Sequence, residues 1–385
     1  MSTMQQQAPP AEAVEEQMGK IVTELGAALG VLLTSLGLRS GLWAALAGAG
    51  PLTTAEVTAK VSVEPSLVRE WLRAQAAGGY LDYDPATGTF TLPDAVAAAI
   101  CYGPGGALVD AAATMFSSMG EGFAAFSEAF STGQGFGWHQ RTAAHWHGTD
   151  AFTRVALPAE LIAAAIGEMD GMAAVLAAVL AAGGSVADVG CGYGTPTMAI
   201  AGLFPSAQVL GIDYHDASIA HARAEAARRG VGPGVGPGVG PGVGPGVGPG
   251  VGTVRFEVAA ASGLPGQGYD LITFFDSLHD IGDPLGALRR ARQALGPDGA
   301  VLLVEPLGAD DVEDNLNPAG RMFYAISTLA CTPNAVSQKT ATSSEPLGAQ
   351  AGEKRLRALA AQAGFGRVRR LDVPAPMNLV LELRP

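Results

Sequence analysis

The chain has 385 residues, 48% of them hydrophobic and 15% charged, which is apolar material for at least two ordinary cores and too much for a disordered protein. Twenty-three basic residues against thirty-six acidic ones leave a formal charge of −13, so a phosphate-binding surface would have to be built against the mean field, and nucleic acid is not the expected partner. Three scattered cysteines, Cys101, Cys191 and Cys331, give neither a disulfide framework nor a Cys-x-x-Cys knuckle and suit a reducing cytoplasm.

The first residues, MSTMQQQAPPAEAVEEQ, hold no basic segment followed by an apolar one, and no secretory signal is expected. Ile21, Leu25, Leu29, Leu32 and Leu36 recur at helical spacing, and a short helix follows at Leu42, Trp43 and Leu46. Thr53 or Thr54 caps a helix through Val61, and Glu64-Pro65-Ser66 opens another bearing Leu67, Val68, Trp71 and Leu72. The stretch YLDYDPATGTFTL then reads as two strands around a Pro/Gly turn. Three helices and a two-stranded wing are the order of a winged helix, expected over residues 1–102. Residues 1–100 carry five basic against ten acidic side chains, poor equipment for reading DNA.

Residues 103–182 read as wholly helical, with Phe116, Phe123, Phe126 and Phe130 along them. From residue 183 the pattern changes to short, fully apolar runs alternating with helical segments. The runs are Val186–Val189, Gln208–Ile212, Val254–Val258, Leu271–Phe275 and Val301–Val304, with late strands at Arg367–Val373 and Asn378–Leu383. This is the pattern of an α/β, doubly wound, largely parallel sheet. It is interrupted at 230–252 by VGPG repeated five times, a sequence that propagates neither helix nor ladder and reads as a mobile, tolerated loop insertion. The longest uncharged run outside that repeat, Val189 to Ile212, is broken by five glycines and two prolines, so no membrane span is expected there.

Val186-Ala-Asp-Val-Gly-Cys-Gly-Tyr-Gly194 is a buried strand containing Asp188 that runs into a Gly-x-Gly-x-Gly turn before a helix. Glycines there let the backbone turn and approach a ligand, with helix N-terminal amides facing it. The next strand, Leu210-Gly-Ile-Asp213, ends in a carboxylate placed to take both hydroxyls of a ribose. Together these segments resemble motifs I and II of class I S-adenosylmethionine-dependent methyltransferases, and the whole chain is similar to two-domain bacterial small-molecule O-methyltransferases. A Rossmann-like seven-stranded methyltransferase sheet behind a mostly helical winged-helix domain is the fold this resemblance implies.

The resemblance places Asp188, Gly190 and Gly192 around the methionine part of S-adenosylmethionine, Asp213 on its ribose, and Phe275 and Asp276 on the methionine side. Tyr214 either packs on adenine or caps its strand as a surface aromatic. Where the family has an aspartate for the adenine amino group this chain has Ala260, which leaves the contact to Ser262, the backbone of Ala261, or water. Leu278-His279-Asp280 is similar to the Leu-His-Asp-Trp segment of enzymes with a histidine base, with Ile281 in place of tryptophan. His279 is therefore the candidate catalytic base, with a structural role as the alternative. The resemblance also implies a homodimer paired through the winged-helix half and a small, apolar or aromatic hydroxylated acceptor.

His139, His145 and His147, with Asp150, form a conceivable metal set whose spacing matches no standard zinc pattern, and no metal is expected. Met322, Phe323, Tyr324 and Ile326 are candidates for the wall of the acceptor pocket. The rival class is a winged-helix transcriptional regulator using the methyltransferase-like fold as a ligand sensor.

Overall fold

The computed structural model describes residues 9–169, 178–231 and 253–385; the VGPG repeat and the expectation of a mobile loop there lie outside the described residues. The chain divides into two compact units, Met1–Ser117 and Ser118–Pro385.

In the first unit α1 (Ala11–Arg39) is followed by α2 (Leu42–Leu46), α3 (Thr54–Thr58) and α4 (Pro65–Ala77). Thr53 starts α3 through a capping box with Glu56, and Glu64 caps α4 with Pro65 in its first turn. Strands β2 (Asp82–Asp84) and β3 (Thr89–Thr91) form the wing, and a two-residue strand, β1 (Leu52–Thr53), adds to β3. That third strand is too short for a sequence pattern to reveal.

The core of this unit gathers Leu42, Trp43, Leu46, Val68, Trp71 and Leu72. Gly37 is where α1 meets it: a Cβ there would lie 2.3 Å from the Trp71 ring and 2.6 Å from Trp43 Nε1. The two indoles donate to the carbonyls of Leu33 (2.8 Å) and Thr34 (3.0 Å). The leucine stripe itself is not in this core. Leu25 and Leu29 are each 62% exposed and Leu36 is 56% exposed, because α1 docks through its small residues Thr34, Ser35 and Gly37 instead. By length and composition α1 is also the described helix long and apolar enough to cross a membrane, although its last turns are tied to the tryptophan core.

The described strands of the second unit form one seven-stranded sheet in the order β6-β5-β4-β7-β8-β10-β9. They are β4 (Ser185–Val189), β5 (Gln208–Asp213), β6 (Thr253–Val258), β7 (Tyr269–Phe275), β8 (Leu295–Pro306), β9 (Arg367–Arg370) and β10 (Asn378–Arg384). All described pairings are parallel except those of β10, which is antiparallel to both β8 and β9.

Alternate residues of each strand enter opposite cores. Val186, Val209 and Leu271 pack on one face, while Ala187, Leu210 and Ile272 pack on the other. Both faces are buried, which is why these strands read as continuous apolar runs rather than alternating ones. The strand order reverses between β4 and β7, and the carboxyl ends of β4, β5, β6 and β7 meet at that switch point.

Candidate active site

The loop after β4 carries three left-handed glycines, Gly190, Gly192 and Gly194, with φ of 74°, 53° and 77°. The amides of Gly190 and Cys191 donate to the Ile212 carbonyl at 2.8 and 2.9 Å, hanging the loop on the end of β5. A Cβ on Gly190 would meet Ser277 Cβ at 2.6 Å, whereas one on Gly192 would meet nothing within 4 Å. The first glycine is thus required by packing and the second opens onto empty space. The helix that follows, Thr195–Leu203, begins at Gly194 without a side-chain cap, so its first amides are available to a ligand.

One cleft collects Asp188, Gly190, Gly192, Asp213, Tyr214, Ala261, Phe275 and Asp276, all eight of the residues that the sequence points to for the cofactor. Two of the carboxylates are held by protein donors. Asp188 accepts from Thr197 Oγ1 (2.5 Å) and Thr273 Oγ1 (2.9 Å), and Asp213 accepts from the amides of Gly192 (2.9 Å) and His215 (2.9 Å). Asp213 therefore fixes the glycine loop as well as facing the cleft.

Burial raises both carboxyls to about 6 against these hydrogen bonds. Asp276 is raised to about 7 by burial, with Glu305 adding to it. It sits at φ 46°, the one described non-glycine residue in the left-handed region, with Oδ1 accepting from Asn378 Nδ2 at 2.8 Å. Backbone held in this region at the end of a sheet strand is a mark of a functional site.

Tyr214 is not a surface cap on its strand. Its hydroxyl accepts from the Trp138 amide (3.0 Å) and donates to Asn334 Oδ1 (2.9 Å), and burial raises its pKa. Asn334 Oδ1 also takes the Trp138 amide (2.8 Å), while Asn334 Nδ2 and Gln338 Nε2 hold the Asp280 carbonyl (3.2 and 2.9 Å). Trp138, Asn334 and Gln338 all line the cleft. They went unnoticed in the sequence because single polar residues on a helix lack a motif, and only the fold brings positions 138, 214 and 334 together. Met322, Phe323, Tyr324 and Ile326, expected as the acceptor wall, do not line the cleft; residues one helix later do.

His279 is 4% exposed and stands behind Asp280 and Ile281, which do line the cleft. Its Nδ1 is 2.6 Å from Glu305 Oε2, and its Nε2 is 3.6 Å from Asp280 Oδ1. Burial opposes its charge, but Glu305 and Asp280 together outweigh that and hold its pKa well above the ordinary value. Donor atoms of His279, Asp280 and Cys331 lie within 4.8 Å of one another. Burial lifts the Cys331 thiol to about 11 and Arg141 is a nearby buried cation, surroundings that suit a hydrogen-bonded cluster better than a cation. The other candidate metal set is pulled apart. His145 is buried against Ser118 (3.1 Å), while His147 packs with the stacked pair Tyr193 and His221.

Residues 165–337 match a family model described as a methyltransferase domain, and residues 27–101 match one described as an Rv2258c-like winged HTH domain. The chain carries a class I methyltransferase domain behind a winged-helix domain. No curated relative matches the sequence. Among solved structures, a putative O-methyltransferase from Nostoc punctiforme is similar at 15% identity and a TM-score of 0.60, covering 98% of this chain and 100% of the other. Human N-acetylserotonin methyltransferase in complex with SAM matches at 14% identity and 0.57, covering 100% and 99%. PigF with SAH matches at 17% and 0.60, covering 98% and 100%.

S-adenosylmethionine is the cofactor of this domain class, and the methyltransferase domain fits it on its own geometry. The space over Gly192 is open, the helix start beside it is uncapped, and the acidic side chains of Asp188, Asp213, Asp276 and Asp280 line a cleft that would receive a cationic ligand.

Proposed function

We propose that this methyltransferase acts on a hydroxyl of a small apolar or aromatic acceptor, with His279 as general base and Glu305 as its positioning residue. The observation that carries the reading is the buried 2.6 Å contact between His279 Nδ1 and Glu305 Oε2 behind the cleft-lining Asp280 and Ile281. A carboxylate on Nδ1 fixes the tautomer and leaves Nε2 as the proton-accepting atom, and Nε2 is the nitrogen turned toward Asp280 at the cleft wall.

Bound S-adenosylmethionine would supply an electrophilic methyl group on a sulfonium. Gly190, Gly192, Phe275 and Asp276 would hold its methionine part, Asp213 its ribose, and Tyr214 with the backbone of Ala261 its adenine. The chain's own residues then orient the acceptor, exclude water and take its proton, contributions of the kind that alignment and general-base catalysis make. Calorimetry with S-adenosylmethionine on the wild type and Asp213→Ala tests the cofactor reading: binding by the first and weaker binding by the second is expected, and no binding by either removes it.

The winged-helix domain serves in this reading to pair two copies in the cytoplasm. The exposed apolar residues of α1 support pairing, and the basic side chains of α4 are already engaged, Arg69 and Arg73 both by Glu70 (3.1 and 3.4 Å). A gel-filtration monomer that binds DNA tightly, with salt and sequence dependence, would favour the regulator instead.

A further inference from the structure

Apart from the cofactor residues, two adjacent side chains hold buried polar atoms with nothing to bond. Arg141 follows the turn Trp138–Gln140 and is 9% exposed, yet it forms no ion pair with a described carboxylate. Its Nη2 donates to the carbonyls of Leu329 (2.9 Å) and Ala330 (3.3 Å), and its guanidinium carbon lies 5.2 Å from the centroid of the Phe136 ring. Its Nε is buried and unpartnered.

Thr142 repeats the pattern. It occupies the N-cap of the helix Ala143–Ala156, where a threonine hydroxyl ordinarily accepts from the first-turn amides, but it makes no such bond and its Oγ1 is buried without a partner. A buried polar atom left without a partner forgoes its bonds to water with nothing in return, and the carboxylate that acts on Arg141, Asp280, does so without a direct ion pair.

Both residues face a niche walled by Met119, Phe126 and Phe136. A guanidinium, a free hydroxyl and the positive end of a helix select an anionic oxygen pair, and aromatic walls select a planar ring. The niche is one side chain from the cofactor cleft: Trp138 lines the cleft, and its ring centroid is 5.2 Å from that of His145, which lines the niche.

We propose that this niche receives the carboxylate end of the methyl acceptor, so that the acceptor is a hydroxylated aromatic acid, with Arg141 and Thr142 as its specificity-determining residues. The assignment rests on the function proposed above. Calorimetry with 2-, 3- and 4-hydroxybenzoate and with the matching hydroxybenzamides, on the full chain with S-adenosylhomocysteine present, tests it. In the wild type at least one acid is expected to bind about tenfold or more tighter than its amide, the scale of one charge-assisted hydrogen bond. Arg141→Gln abolishes that preference, Arg141→Lys keeps part of it, and Thr142→Ala, which removes no charge, weakens the acid several-fold.

Acids and amides binding alike, or an acid preference unchanged in Arg141→Gln and Thr142→Ala, overturns the proposal. So does a wild type that binds S-adenosylhomocysteine and none of the six probes. Should Arg141→Gln fail to fold, Thr142→Ala and Arg141→Lys decide. Loss of S-adenosylhomocysteine binding by the wild type, read in the same titrations without benzoates, would mark failure of the methyltransferase reading, a result distinct from failure of the niche.

Discussion

The cofactor cleft and the niche beside it handle their polar groups differently. On the cofactor side, Asp188 and Asp213 each accept two hydrogen bonds from the protein. In the niche, Arg141 Nε and Thr142 Oγ1 have no partner. Asp188 and Asp213 are satisfied before any ligand arrives and are preorganised, Asp188 by ties to the next helix and the neighbouring strand and Asp213 by the amide of the glycine loop. The niche leaves two polar atoms without bonds, which on the proposal above a ligand would complete.

The comparison is broken most severely at the buried histidine behind the cleft wall. His279→Ala is expected to lower turnover about 100- to 10,000-fold, the range of general-base catalysis, while S-adenosylhomocysteine affinity is unchanged. Glu305→Gln should lower turnover less and move the pH profile to lower pH, because Glu305 is among the groups that hold the His279 pKa up. In the wild type kcat/KM should therefore climb as pH rises above 6.5, where the free imidazole form increases. A flat profile, or equal loss of cofactor affinity and turnover in His279→Ala, would make His279 a structural residue.

On the cofactor side, Asp213→Ala removes both the carboxylate proposed to take the ribose and the acceptor for the Gly192 amide. Loss of a hydrogen bond to a charged group, about 1.5–3 kcal/mol, corresponds to a roughly 10- to 150-fold weaker Kd for S-adenosylhomocysteine by calorimetry, together with a lower Tm. Asp213→Asn keeps one carbonyl acceptor and should recover part of both.

A control far from the cleft separates stability from binding. Gly37→Ala places a methyl group against Trp71 and Trp43 and should destabilise the first unit by about 1–3 kcal/mol, as overpacking does. Urea denaturation followed by tryptophan fluorescence measures it, and cofactor affinity should not move.

How much of this was legible in the sequence follows from how local each signal is. Gly190, Gly192 and Asp213 announce themselves because a tight turn and an acidic strand end occupy adjacent residues on two consecutive strands. The strands of the sheet were readable within a residue or two, except β9, which ends at Arg370 rather than Val373, and β8, which begins at Leu295 rather than at Val301, since its first residues Gly296-Pro297-Asp298-Gly299 have the composition of a turn. The α1 stripe carried the right period. Helical spacing of leucines marks an apolar face but not what covers it, and this unit's core takes Thr34, Ser35 and Gly37 instead. The bonds joining Trp138, Tyr214 and Asn334 and the unpartnered Nε of Arg141 depend on tertiary placement, which no spacing encodes.

The smallest expected effect sharpens the contrast through pH. Asp188 and Asp213, at about 6, and Asp276, at about 7, stand above the ordinary 3.8 of aspartate. Between pH 3.8 and about 7 the folded protein holds protons that the unfolded chain has released, so these groups make stability fall as pH rises through that window. The raised His279 continues the decline above 6.5, whereas Glu225, lowered to about 2 chiefly by its hydrogen bond with Arg228, opposes unfolding at neutral pH and loses that contribution below about 4.5. Tm should accordingly be higher near pH 5 than at pH 8. Asp276→Asn isolates one contributor: asparagine tolerates the left-handed backbone at φ 46° and cannot ionise, so the variant should gain on the wild type between pH 6 and pH 8 and gain little near pH 5. Parallel Tm curves for the two proteins across that range would show that the Asp276 carboxyl is ionised without penalty and that the cleft is wetter than its burial implies.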